Sequence, residues 1–286
     1  MTGPRRYAGR LKHAVLGHTS GLIHSIACES DLRRRQLVRR VAVDRTAAAG
    51  AALLRRDGVL AVPTNYSSDL VAYLQAAVEL TEDAEVSHAM GAVDPEAVRY
   101  VEDPLKHASR LAELLTPEIL AVVRAWYRTE FQVSSVRMWR IAHVDADDFI
   151  RTYHYGNLWH QDGHSLNTLK LFIQTTPGAA QDGSALRYVS RRQSRRAFLA
   201  GYNTNTDISA AAFHYLESSA GQLAGPPGSA MLVDTNRCLH RAGNPAIGRT
   251  RGMVQFMFDV ADSAPLGGDY LAHVPKDPNV YEGARV

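Results

Sequence analysis

His160 and Asp162 lie two apart in the stretch Asn157-Leu158-Trp159-His160-Gln161-Asp162-Gly163-His164. On an extended strand, residues i and i+2 point to the same face. The imidazole and the carboxylate can therefore converge on one point while Gln161 turns away. A neutral nitrogen donor beside a carboxylate is two thirds of the 2-His-1-carboxylate set that holds non-haem Fe(II) with open positions. A further ligand is available in the C-terminal part. Ser229 to Asp234 reads as a strand and leads into Cys238-Leu239-His240-Arg241-Ala242-Gly243-Asn244-Pro245, where Gly and Pro mark a turn. His240 is the candidate second histidine. Arg251 opens another strand-like run, Met253 to Phe258. A guanidinium returning there can grip the distal carboxylate of a co-substrate in two-pronged fashion. A competing metal reading uses His154, His160 and His164, whose His-x5-His-x3-His spacing suits zinc. It leaves Asp162 and Arg251 without roles. His143, His154, His164 and His214, taken singly, read as ordinary surface or hydrogen-bonded histidines.

The constellation His160-x-Asp162, His240 and Arg251 resembles that of the Fe(II)/2-oxoglutarate-dependent dioxygenases. Among them the chain is most similar to the phytanoyl-CoA dioxygenase-like group, over about Gly58 to Phe258. That resemblance implies a mainly β protein with flanking helices, a double-stranded β-helix (jelly-roll, cupin-like). It implies Fe(II) held by His160, Asp162 and His240, with 2-oxoglutarate as co-substrate and O2 as oxidant. Arg251 would hold the far end of 2-oxoglutarate. The family also places co-substrate contacts on the strand Leu169 to Gln174, so Lys170, Phe172 and Gln174 are expected to face inward, with Phe172 and Gln174 as cofactor contacts. An exposed Lys170 is the plain alternative.

The implied reaction is oxidative decarboxylation of 2-oxoglutarate coupled to hydroxylation of an unactivated C–H bond of a small molecule, a natural product or other secondary metabolite. Desaturation, cyclisation and epimerisation are outcomes of the same site. Related halogenases lack the carboxylate ligand, and Asp162 fills that place here. From other functional classes, a jelly-roll metal hydrolase or isomerase and a non-catalytic small-molecule binder stay open. One departure concerns the substrate rim. Family members often follow a Gly-x-Leu strand with a Pro-Gly-Ser-His-like turn, whereas Gly183 to Val189 here runs into basic Ser190-Arg-Arg-Gln-Ser194.

The elements that must position these residues read as follows. At 286 residues the chain suits a single jelly-roll domain over 1–286, with a basic N-terminal arm over about 1–30 and insertions over about 81–116 and 190–228. Residues 1–28 contain no acid and carry Arg5, Arg6, Arg10 and Lys12. Their apolar stretch is broken by His18, Ser20 and His24, which argues against a secretory signal. No apolar run approaches the roughly 20 residues that span a bilayer, and a net charge of +3 is too small to argue for nucleic acid. A cytoplasmic enzyme with a small-molecule partner, and no nucleic acid or membrane, is the expectation.

Asp31 is expected to cap a helix over Leu32 to Val41 with a basic face, and Asp44 to Arg56 to form an alanine-rich helix stopped by Gly58. Val59 to Val62 reads as a strand and Ser67 or Ser68 as the cap of the next helix. Pro117 starts a helix running to about Phe131, with Glu118 complementing its dipole. Val133 to Val144 reads as a strand, and Asp145, Asp147 and Asp148 as a solvated loop. Cys28 and Cys238 read as buried reduced thiols. Arg187, Arg191, Arg192, Arg195 and Arg196 form either a solvated rim or a receiver for an acidic substrate.

Overall fold

The computed structural model describes residues 21–38, 41–83, 98–101, 104–145, 156–162, 167–178, 184–200, 202, 210–261, 269–271 and 274. Among these, the chain forms helices α1 (Gly21–Val38), α2 (Arg45–Asp57), α3 (Ser68–Asp83), the short α4 (Pro104–His107), α5 (Pro117–Tyr127), α6 (Arg191–Leu199) and α7 (Ala210–Ser219). The strands are β1 (Val59–Val62), β2 (Val98–Val101), β3 (Phe131–Ala142), β4 (Leu169–Gln174), β5 (Leu186–Tyr188), β6 (Gly221–Leu223), β7 (Ala230–Val233), β8 (His240–Arg241) and β9 (Thr250–Val260). A large antiparallel sheet has the order β1-β7-β4-β9-β3-β2, and a small one the order β6-β5-β8. This is a jelly-roll with flanking helices.

Burial on both faces of the large sheet sets its chemistry. Leu169, Leu171 and Ile173 of β4 and Val254, Phe256 and Phe258 of β9 pack in a core with Leu54, Leu74, Val123 and Trp126 from the helices. Phe172, Met253, Trp139 and Val233 point the other way and meet Leu186 and Leu223 of the small sheet. Strand alternation therefore assigns Lys170, Phe172 and Gln174 of β4, and Arg251, Met253 and Gln255 of β9, to the space between the sheets. A third core, of Trp159, Val189, Phe198, Tyr202, Leu216 and Leu239, covers the outside of the small sheet beneath α6 and α7. On β4 and β9 the buried polar side chains, Lys170, Gln174, Arg251 and Gln255, all lie on the inner face, where a ligand can use them.

Local signals account for most helix ends. The Asp44 carboxylate accepts from the backbone N–H of Thr46 and Ala47, and Gly58 ends α2 at φ 78°. The N–H of Leu70 donates to Ser67 Oγ at the start of α3. Thr116 caps α5 with Pro117 in its first turn. Arg128 stops α5 in the left-handed region at φ 54°, so the helix ends at Tyr127 and Phe131 already belongs to β3. Tyr127 is buried, and its hydroxyl lies 2.6 Å from the carbonyls of Asn167 and Phe258 and accepts from Leu169 N–H, tying α5 to β4 and β9.

Several expectations change. Asp31 does not cap a helix. It lies inside α1, which begins by Gly21, and its carboxylate receives Arg34 at 2.7 Å and Arg35 at 2.8 Å. Arg33 pairs with Glu29 at 3.0 Å, so part of the basic run is neutralised on its own helix. Within 81–116, Val98 to Val101 form β2, an edge strand paired with β3. Within 190–228, α6 and α7 are followed by β6, which pairs with β5. Ser190 and Gln193 form a capping box, so the basic segment after β5 is a helix and not a turn. Cys28 and Cys238 are free and buried. No described helix is long and apolar enough to cross a membrane. Residues 1–20, Arg39, Arg40, Asp147, Asp148, His154, His164 and Gly183 lie outside the described residues.

Candidate metal centre

His160 and His240 face each other across a backbone bridge. Each backbone N–H donates to the other's carbonyl at 3.0 Å. Directly opposed residues of an antiparallel pair present side chains on one face, and the two rings lie 4.2 Å apart, centre to centre. The Asp162 N–H donates to the carbonyl of Thr235 at 3.0 Å, which anchors the carboxylate beside the rings through the loop after β7. Asp162 Oδ1 is 3.9 Å from His160 Nε2, and Oδ2 is 3.6 Å from His240 Nε2. One donor atom from each of the three residues lies within 4.8 Å of the others, a group that could hold a metal ion.

The imidazole orientations suit that use. His160 Nδ1 lies 2.8 Å from the carbonyl of Leu158, and His240 Nδ1 lies 3.1 Å from that of Cys238. A carbonyl only accepts, so each Nδ1 carries the hydrogen and each Nε2 keeps its lone pair. Both contacts reach back two residues along an extended chain. Burial, followed by the neighbouring His160, pushes the His240 imidazole down to about 3. Burial also lowers His160, with Asp162 opposing. Both rings are therefore neutral near neutral pH and ready to donate. Gly156, at φ 68°, approaches the same ring: a Cβ there would sit 3.4 Å from His160 Cε1 and 3.9 Å from Nε2.

The inner face of the large sheet supplies the surroundings. Phe172 lies 6.2 Å from the His240 ring, centre to centre. Lys170 is buried at 4% exposure, and its Nζ is 2.7 Å from Asp162 Oδ2. Burial depresses its ammonium below the ordinary lysine range, against the pull of Asp162. Gln174 is 1% exposed, packs over Gly178, and its side-chain amide has no hydrogen-bond partner among the described residues. It pairs with Met253 of β9, two residues from Arg251. Arg251 is 1% exposed and sits opposite Ile141 of β3. Arg137 and Gln255, opposite each other, are buried on this face as well.

Sequence reasoning thus assembled His160, Asp162, His240, Phe172, Gln174 and Arg251 around one interior. It missed the Lys170–Asp162 contact, Gly156, and the carbonyls that orient the imidazoles. Of these, only Lys170 had a signal, its strand parity. The neighbouring arginines go elsewhere. Arg241 points outward, donates to Glu217 at 2.7 Å and lies over the Trp159 ring. Arg249 is exposed in the turn at Gly248. Arg187 pairs with Glu217 at 3.1 Å, and Arg191 with Glu29 at 2.7 Å, so these two hold helices in place. His143 Nδ1 lies 2.7 Å from the Pro245 carbonyl.

No protein-family model and no curated protein matches the sequence. Solved structures do resemble it. The non-haem alpha-ketoglutarate-dependent epimerase SnoN from nogalamycin biosynthesis superposes with a TM-score of 0.54 at 16% identity, over 81% of this chain and 89% of that one. EctD from S. alaskensis, crystallised with 2-oxoglutarate and 5-hydroxyectoine, gives 0.53 at 15% identity, over 76% of both chains. The carbocyclase SnoK from nogalamycin biosynthesis gives 0.51 at 17% identity, over 82% and 93%. SnoN has also been crystallised with Fe3+ and alpha-ketoglutarate, and EctD with bound Fe. At these identities the likeness establishes the fold.

Proposed function

We propose that this protein is a non-haem Fe(II)- and 2-oxoglutarate-dependent oxygenase of the phytanoyl-CoA dioxygenase-like kind, hydroxylating an unactivated C–H bond of a small molecule. The observation that carries the reading is the convergence of two neutral Nε2 atoms and a carboxylate oxygen within 4.8 Å, in a jelly-roll interior. The donor set suits iron: two imidazoles and one carboxylate leave positions open, whereas a structural zinc site fills all four. The co-substrate's needs are met by the same interior. Arg251 is a buried cation on the inner face of β9, and the buried Gln174 amide still lacks a partner among the described residues. A dianion with a carboxylate at each end suits a buried guanidinium and would give the Gln174 amide a partner.

In this reading His160, Asp162 and His240 hold the iron, and the hydrogen bonds from His160 Nδ1 to Leu158 O, from His240 Nδ1 to Cys238 O and from Asp162 N–H to Thr235 O keep the donor atoms aimed inward. Arg251 grips the distal carboxylate of 2-oxoglutarate, Gln174 hydrogen-bonds it, and Phe172 closes the apolar side against His240. Iron with 2-oxoglutarate and O2 supplies the oxidising power. The two packed sheets exclude bulk water from it. Small-molecule substrates fit the fold likeness to enzymes of nogalamycin biosynthesis and to EctD with 5-hydroxyectoine. Epimerisation and ring closure, the reactions named for SnoN and SnoK, are alternative outcomes on the same site.

Anaerobic addition of Fe(II) to the metal-free protein, followed by 2-oxoglutarate, tests the reading. A weak visible charge-transfer band is expected, with succinate release once substrate is supplied. Tight zinc binding with no such band would overturn it.

A further inference from the structure

Lys170 reaches the candidate metal centre from the opposite sheet. It lies on the inner face of β4, between Met257 of β9 and Val233 of β7, and only 4% of it is exposed. Asp162 lies across the interior, anchored to the loop after β7. The lysine Nζ and Asp162 Oδ2 are 2.7 Å apart, a close buried ion pair. Both carboxylate oxygens are within reach of the imidazoles, Oδ1 at 3.9 Å from His160 Nε2 and Oδ2 at 3.6 Å from His240 Nε2. Nothing in the two imidazoles decides whether this carboxylate would present one oxygen or two to a metal. Lys170 does, because a protonated lysine offers three donors and no acceptor. It can engage Oδ2 and cannot itself replace it as a ligand.

We infer that Lys170 is a positioning residue that draws Asp162 Oδ2 into an ion pair, favours Oδ1 as the metal ligand, and so reserves a coordination position for the co-substrate. The inference rests on the iron reading above. In an octahedral site, three protein atoms leave the three positions that a chelating 2-oxo acid and O2 require. A carboxylate bound through both oxygens would take one of them. The ammonium also draws charge from the carboxylate and repels a divalent cation, so it weakens the bare metal site while favouring the dianionic co-substrate. A lysine that merely steadied Asp162 would act with the opposite sign on the metal, since its loss would loosen the ligand.

The test uses the full-length, metal-free protein, Co(II) as a spectroscopic stand-in, and 2-oxoglutarate. Lys170→Met keeps the side-chain length among apolar neighbours and removes the charge. It should bind Co(II) about tenfold more tightly than the wild type and then bind 2-oxoglutarate about tenfold more weakly. Its d–d absorption before 2-oxoglutarate is added should differ from that of the wild type. Lys170→Arg, which keeps charge and donors, should restore the wild-type pattern. Lys170→Gln covers failure of Lys170→Met to fold, and should show the same two shifts at smaller size. Weaker Co(II) binding with unchanged 2-oxoglutarate binding in the neutral variants would overturn the inference. A wild type that binds neither Co(II) nor Fe(II) would instead remove the iron reading beneath it.

Discussion

Replacing Arg251 by alanine should separate co-substrate binding from metal binding. The guanidinium is 1% exposed and lies on the inner face of β9, two residues from Met253, which pairs with Gln174 of β4; the Gln174 amide has no hydrogen-bond partner among the described residues. Any carboxylate it holds is shielded from solvent screening. Truncating one partner of a buried, hydrogen-bonded charge pair costs about 2–5 kcal/mol. The lower bound corresponds to roughly 30-fold in a dissociation constant. Calorimetry of 2-oxoglutarate binding to Co(II)-loaded protein should therefore show at least that loss in Arg251→Ala, with Co(II) affinity near that of the wild type. Arg251→Lys should recover only part of it, because an ammonium lacks the planar fork. Two neighbours serve as internal controls. Arg249 is exposed in its turn, and Arg241 points outward to Glu217 at 2.7 Å. Alanine at either position should leave 2-oxoglutarate binding unchanged. A large loss at Arg249 with none at Arg251 would refute the reasoning from strand parity and burial.

Asp162→Ala should abolish metal binding and also destabilise the metal-free protein by about 3 kcal/mol, because it strands the buried Lys170 ammonium; adding Lys170→Met should recover most of that stability in urea melts. Gly58→Ala should cost roughly 2–4 kcal/mol, since φ is 78° and the new Cβ would sit 2.1 Å from Cys238 Sγ. Combining it with Cys238→Ala should leave only the backbone penalty of about 1 kcal/mol, and equal losses in both backgrounds would contradict the clash. Glu217 gathers Trp159 Nε1, Arg187 and Arg241 onto the small sheet. Burial opposes its ionisation, but Arg241, then Arg187 and Trp159, outweigh it and hold the carboxyl below the ordinary 4.5. Its stabilising contribution is thus complete above that value and lost as pH falls through the lower folded value. Glu217→Gln should reduce thermal stability near neutral pH and flatten this acid limb, as melting curves across about pH 3–6 can show.

Much of the candidate centre follows from rules that act within a few residues, whereas the jelly-roll class is legible only through the family resemblance that His160, Asp162, His240 and Arg251 carry. His160 and Asp162 are two apart, and an extended chain turns such residues to one face. Alternation does the same for Lys170, Phe172 and Gln174 and turns Arg241 away from His240, while the turn at Gly248 sets Arg249 apart from Arg251. Helix ends are equally local: Asp44, Gly58, Thr116 and Pro117 each act on backbone groups of their own turn.

Contacts between distant segments are a different matter. Asp31 looks like a helix cap, because nothing in its neighbourhood reveals that α1 already runs through it. Val98 to Val101 carry little strand pattern, and pairing with β3 makes them an edge strand. The carbonyls that orient His160 and His240 lie close in sequence, but their use depends on the bridge between the two histidines, which brings together residues from separate strands. Lys170 could be assigned to a face from its own strand, yet only the packing of one sheet over the other brings its ammonium to Asp162. Alternation fixes the direction of a side chain. What it meets at the end is decided by whichever segment the fold lays opposite.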